Sequence, residues 1–158
     1  MAAELVLALV GVGGTIAATL SSGLLQHRAA QNARTADTAQ QQRRELIRAV
    51  TDLSTALAAH RRSMYQRERL RLTGADDTVQ AQARSESHRT RADITAPLVA
   101  VSVLAPALAD AAHGAARATY ALRDAADQAD LDAARTAARV LADELVPQTA
   151  ALLALTIY

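Results

Sequence analysis

At 158 residues the chain can hold one domain with a core of its own, but not two large ones. Hydrophobic residues reach 51% while aromatic residues are only 2%, with no Phe or Trp, which disfavours a β-sandwich and suits thin seams between alanine-rich helices. The net charge is +1, there is no cysteine and every one of the 17 basic residues is arginine. That excludes a disulfide framework and a thiolate metal site.

The chain opens with a 21-residue run without charge, Leu5–Leu25. As a helix it would be roughly 31 Å long, matching a hydrocarbon core of about 30 Å. Its only polar side chains are Thr and Ser, whose hydroxyls can return to the preceding turn. A cleaved signal peptide fits less well, since the basic leader and a small-residue cleavage site are missing. The run therefore predicts a transmembrane helix over 4–26. No basic residue precedes it, and Arg28, Arg34, Arg43 and Arg44 follow. The positive-inside rule then puts the N-terminus outside and the C-terminus in the cytoplasm. Gly11, Gly14, Thr15, Ala18, Thr19, Ser22 and Gly23 form a small-residue face along which a second helix could approach closely.

Residues 27–44 are polar, free of Gly and Pro, and read as a helical stalk. From 45 to 158 the pattern predicts a cytoplasmic antiparallel bundle of about four helices. The first carries apolar steps at Leu46, Val50, Leu53, Leu57, His60 and Met64. It should stop near Gly74, with Asp76 or Asp77 capping the next helix. That second helix is expected from about Thr78 to Leu104, kinked or broken at Pro97. A third should begin at Pro106 and end near Gln128. A fourth, capped by Asp130, should run from Leu131 to at least Leu145, with Pro147 kinking or ending it. The uncharged tail from Leu145 to Tyr158 is too short to span a bilayer and is expected to pack on the core.

Charge is unevenly divided. Residues 27–91 hold 13 Arg and 7 acids (+6), residues 92–158 hold 4 Arg and 8 acids (−4), and Glu4 supplies the remaining −1. A basic half of this kind could meet a polyanion, but packing of the two halves against each other is the simpler account. The densest basic run, Arg61, Arg62, Arg67, Arg69 and Arg71, is a candidate surface for phosphates. It is interrupted by Tyr65 and Glu68, so a solvated helix face is the default reading.

No enzyme signature is present. His27, His60, His88 and His113 lack metal-ligand spacing, there is no G-x-S-x-G elbow, and no phosphate-binding glycine loop occurs. No cofactor or metal is expected. Antiparallel pairing about the Gly74 turn sets residues whose numbers sum to about 150 opposite one another. This brings His60 and Arg62 near Glu86 and His88, a candidate polar cluster in which Glu86 or Ser87 would satisfy the seam histidine.

The stretch HRRSMYQRERLRLTGADDTVQAQARSESHRTRADITAPLVAVSVL (60–104), the segment ATYALRDA (118–125) and the LLQHR (24–28) that ends the apolar run resemble the small KilB-type proteins of actinomycetes. The resemblance covers about Leu24 to Ala125, with the last helix diverging. It implies a role in conjugative plasmid transfer or spread, and toxicity when unregulated, without supplying catalytic residues. The expected function is thus that of a membrane-anchored helical scaffold, its partners being membrane lipid and a protein or a second copy of the chain. A membrane-tethered nucleic-acid-binding protein and a helical sensor are the alternatives.

Overall fold

Helices with an apolar residue at every third or fourth position bury that seam only by packing on one another, and the computed structural model shows such packing. It describes the backbone of residues 2–155 and the side chains of Gln31 and residues 34–155. Helix α1 is Ala2–Leu72, α2 Asp77–Leu104, α3 Ala109–Tyr120, α4 Gln128–Asp143 and α5 Leu145–Leu155, with a short 3-10 turn at Pro106–Leu108. Among the described residues there is no strand, so the fold is all-α.

Two compact units divide the chain, Met1–Gln41 and Gln42–Tyr158. In the first, the side chains of residues 34–41 are exposed. The hydroxyls of Thr35 and Thr38 donate to the carbonyls of Gln31 and Arg34, each at 2.9 Å, which satisfies them on their own helix. The Leu5–Leu25 run and its small-residue face lie outside the residues whose side chains are described. Among the described residues no helix is long and apolar enough to cross a membrane, so the fold lends the transmembrane reading no support.

The core lies in the second unit. Leu46, Val50, Leu53, Leu57 and Met64 are buried on one stripe of α1, as the heptad-like steps predict. The four leucines and valines of that stripe share a cluster with Ile94 and Val101 of α2, Leu108, Ala112, Ala115 and Ala116 before and within α3, and Ala142 and Leu145. Met64 belongs to a smaller cluster with Leu122, Ala125, Leu131 and Ala138. Alanines let helices approach closely but bury little area each. The few large side chains therefore hold most of the core energy, and truncating one such Leu or Ile costs about 2–5 kcal/mol.

Between α1 and α2 the chain turns through a Schellman motif. Gly74 N–H donates to the Arg71 carbonyl at 3.2 Å and Ala75 N–H to that of Leu70 at 3.0 Å, with Gly74 at φ +65°. Asp76 caps α2 by accepting Thr78 N–H at 2.8 Å, and this contact holds its carboxyl below the usual range. A Cβ at Gly74 would meet nothing within 4 Å, so only the left-handed backbone opposes a side chain there. Gly74→Ala is expected to lower stability by about 1 kcal/mol, read as a shifted midpoint in urea unfolding, while Gly74→Asn should lose less.

Several boundaries differ from the sequence reading. Helix α2 passes through Pro97 without a break, because Ile94 and Val101, both fully buried, anchor it on either side. Helix α3 ends at Tyr120, well before Gln128. The chain then turns through Asp124 at φ +61°, with Leu122 and Ala125 buried in the turn. The cap of α4 is Asp127, which accepts Asp130 N–H at 2.9 Å. Asp130 instead reaches back to Ala126 N–H at 3.0 Å, a reciprocal arrangement close to a capping box. Pro147 ends α4, as expected: the helix stops at Asp143, four residues before it, whose carbonyl would have met the N–H that proline lacks. It sits in the first turn of α5, where a missing N–H leaves no bond unmade. As expected, α5 packs inward through Leu145 and Thr149, with Leu152 and Leu153 against the main cluster.

Candidate functional site

The apolar stripe of α1 places one histidine in the seam, and its surroundings define the main polar site. His60 is 2% exposed, and its Nδ1 lies 3.0 Å from Thr90 Oγ1. The Thr90 hydroxyl lies 3.0 Å from the Glu86 carbonyl and 3.0 Å from Ser63 Oγ. One hydroxyl has a single proton and two lone pairs. With that proton given to Glu86, Thr90 accepts from an Nδ1–H of His60; with it given to Nδ1, the ring carries its proton on Nε2. Thr90 thus fills the role expected of Glu86 or Ser87.

Beside this pair opens a cleft of about 210 Å³. Helix α1 contributes His60, Met64 and Arg67 to it, and α2 contributes Ser87, His88 and Arg91. Tyr120 at the end of α3 and Arg123 in the following turn complete the wall. The rings of His60 and Tyr120 meet edge to face with centroids 5.6 Å apart, and the Arg91 guanidinium lies 4.5 Å from the Tyr120 centroid. Arg67 Nη1 donates to Ser87 Oγ at 3.3 Å. Burial, reinforced by the charges of Arg91, Arg67 and His88, lowers the pKa of His60 to about 4.

Of the four residues expected to cluster, His60 and His88 share this cleft and the other two do not. Glu86 is exposed and forms two hydrogen bonds with Arg89, at 2.6 and 2.9 Å, which hold its carboxyl below the usual range. Arg62 lines a separate groove of about 630 Å³. The walls of that groove are mostly apolar, with Ile47, Val50 and Ala58 from α1 facing Val146, Ala150 and Leu153 from α5.

Nor do the five arginines of the basic run make one surface. Arg67 turns into the cleft. Arg71 donates to Glu68 Oε2 at 2.7 Å and to the Ala125 carbonyl, Arg69 to Gln66 at 3.2 Å. Arg61 is half-buried, and its pKa is lowered by burial against the opposing pull of Asp143. Among the described residues no three His, Asp or Glu side chains gather as a metal site.

Three participants went unnoticed in the sequence, Arg91, Tyr120 and Arg123, and Glu68, read there as part of a solvated face, is buried. Tyr120 was open to detection as one of only three aromatic residues.

The sequence profile described as KilB plasmid transfer protein matches residues 47–153, which is more than half of the chain and includes both the cleft and the groove. The chain belongs to the KilB plasmid transfer protein family. A relative named Protein KilB, from Streptomyces lividans, is 51% identical over 146 residues, 92% of this chain and 97% of that protein. The family match runs on to residue 153, so the likeness extends past Ala125, where the sequence resemblance was expected to end. No solved structure matches the chain.

Proposed function

We propose that this KilB-family chain is a membrane-anchored helical interaction protein serving plasmid transfer or spread, with the α1–α5 groove as the face that receives a partner helix. The groove is the observation that carries this reading. It is open, about 630 Å³ in volume and mostly apolar, and Ile47 and Val146 on its walls are 46% and 60% exposed. Contiguous exposed apolar surface on a soluble bundle is characteristic of a protein-binding face, and a long groove between two helices accepts the apolar side of a third. Family membership supports the plasmid-related role. Membrane attachment through Leu5–Leu25, with the bundle in the cytoplasm, rests on the uncharged run and the arginines that follow it.

Two substitutions and one truncation test this. Ile47→Asp and Val146→Asp change exposed side chains, so helicity should hold while plasmid transfer falls about tenfold or more, the scale of losing a central apolar contact. The full chain should sediment with membranes, and a chain lacking residues 1–25 should not. Unchanged transfer in both groove variants would remove the docking face. Recovery of the full chain in the soluble fraction would remove the anchor.

A further inference from the structure

The cleft between α1, α2 and the end of α3 has a composition that neither scaffolding nor helix packing calls for. Its lining includes three arginines, two histidines, a serine and a tyrosine, and no carboxylate. The arginines come from three separate segments, so the fold itself collects like charges around one small volume. Their neighbouring acids do little to offset them. Arg67 Nε is 3.7 Å from Glu68 Oε1, but Glu68 already accepts from Arg71 and from Asp124 N–H through its other oxygen. Arg123 reaches the exposed Asp124 only at 4.0 Å. Among the described residues no ion pair is formed by Arg91, whose guanidinium lies over Tyr120. A guanidinium resting on an aromatic face keeps its in-plane N–H donors available.

We propose that this cleft binds a phosphate-bearing anion, a free phosphate or a small phosphomonoester, held by Arg67, Arg91 and Arg123 with His88 as a further donor. Arginine forks match the paired oxygens of a phosphoryl group, and a concave wall of one sign focuses the field on such a ligand. The volume, about 210 Å³, equals roughly seven times water's share of about 30 Å³, so a tetrahedral oxyanion fits with part of the group that carries it. The assignment is independent of the apolar groove and of membrane attachment.

A bound anion also acts on His60. The positive groups acting on that ring are Arg67 from α1 and His88 and Arg91 from α2, while Arg123 lines the same cleft and neutral Tyr120 meets the ring at its edge. Neutralising them removes part of what depresses its pKa below the ordinary 6.5, so the imidazole should titrate at higher pH when the ligand is present.

The test uses the full chain in a neutral detergent, with inorganic phosphate and glycerol 3-phosphate titrated by calorimetry against sodium chloride at matched ionic strength. Both phosphates should bind saturably, and the His60 imidazole resonance should shift its midpoint upward in their presence. Arg91→Gln and Arg123→Gln, at exposed positions, should each weaken binding about tenfold or more. Arg89→Gln, whose side chain pairs with Glu86 outside the cleft, should change it by less than about twofold. Tighter binding of glycerol 3-phosphate identifies an organic monoester as the ligand and tighter binding of inorganic phosphate identifies the free ion, and either result supports the site. Phosphate no better than chloride, or cleft variants that bind as well as the original chain, overturns it.

Discussion

Glu68→Leu is expected to destabilise the bundle by about 3 kcal/mol, the scale of losing two hydrogen bonds to a buried carboxylate. Glu68 is fully buried at the end of the α1 stripe. Its Oε2 accepts from Arg71 Nε at 2.7 Å and from Asp124 N–H at 3.2 Å. Its Oε1 makes no hydrogen bond, although Arg67 Nε lies 3.7 Å away. That distance is too long for a hydrogen bond, so the second oxygen gains only Coulombic attraction.

Which partner suffers decides the magnitude. The Arg71 side chain is 43% exposed and can return to water when its carboxylate is lost. Asp124 cannot do so as easily, because its backbone is held at φ +61° in the α3–α4 turn, a conformation costing about 1–2 kcal/mol for a residue other than glycine. Removing the acceptor frees that strain and leaves an N–H to find water. Apolar replacement of a buried ion pair is often harmless when both partners are replaced, but here a backbone donor stays behind. Glu68→Gln keeps one acceptor oxygen and should lose about half as much. Urea unfolding of the full chain in detergent measures both values. A Glu68→Leu chain as stable as the original would show that the turn does not depend on the carboxylate.

The reasons this contact was not legible in the sequence also explain what was. The stripe Leu46, Val50, Leu53, Leu57, His60, Met64 was readable because a 3.5-residue period needs only one helix to be seen. Glu68 continues the same stripe by four residues, yet a charged residue there signals solvent unless its partners are known, and one of them, the Asp124 N–H, lies 56 positions away. The Gly74 turn was readable because glycine at a C-cap and aspartate at the following N-cap are local chemistry. The hairpin register was also within reach, since His60 meets Thr90 and those numbers sum to 150. What failed was the finer step of naming the facing side chain. Glu86 lies one helical turn before Thr90, and on that face of α2 it offers its carbonyl while its carboxylate goes to Arg89. The cleft itself joins residues 60–67, 87–91 and 120–123, a union that depends on where α3 stops. Its end at Tyr120 carries no glycine or proline marker, only the positive-φ aspartate four residues on.

Lowering the pH from 7 to 5 is expected to cost the protein about 2 kcal/mol through His60 alone. The ring is 2% exposed, its Nδ1 is hydrogen-bonded to Thr90, and burial with nearby arginines lowers its pKa from 6.5 to about 4. The folded state therefore holds this histidine neutral at a pH where the unfolded chain has already protonated it. Because the unfolded state binds the extra proton, stability is fully present above the unfolded value and falls as pH drops below 6.5. The loss continues until the folded ring also titrates, near pH 4. The carboxylates of Asp76, Glu86 and Asp132, held below their ordinary range by hydrogen bonds from Thr78, Arg89 and Tyr65 respectively, withdraw their contributions only as pH falls through the carboxylate range. The window from 6.5 to 5 thus belongs to the histidine. His60→Gln can still hydrogen-bond Thr90 through its amide and carries no proton to gain, so its stability should be nearly flat between pH 7 and 5, even if lower at pH 7. Unfolding midpoints measured in phosphate-free buffers, which keep the arginine cleft empty, provide the comparison. A slope that persists in His60→Gln would assign the acid sensitivity to another group and remove the buried histidine as its source.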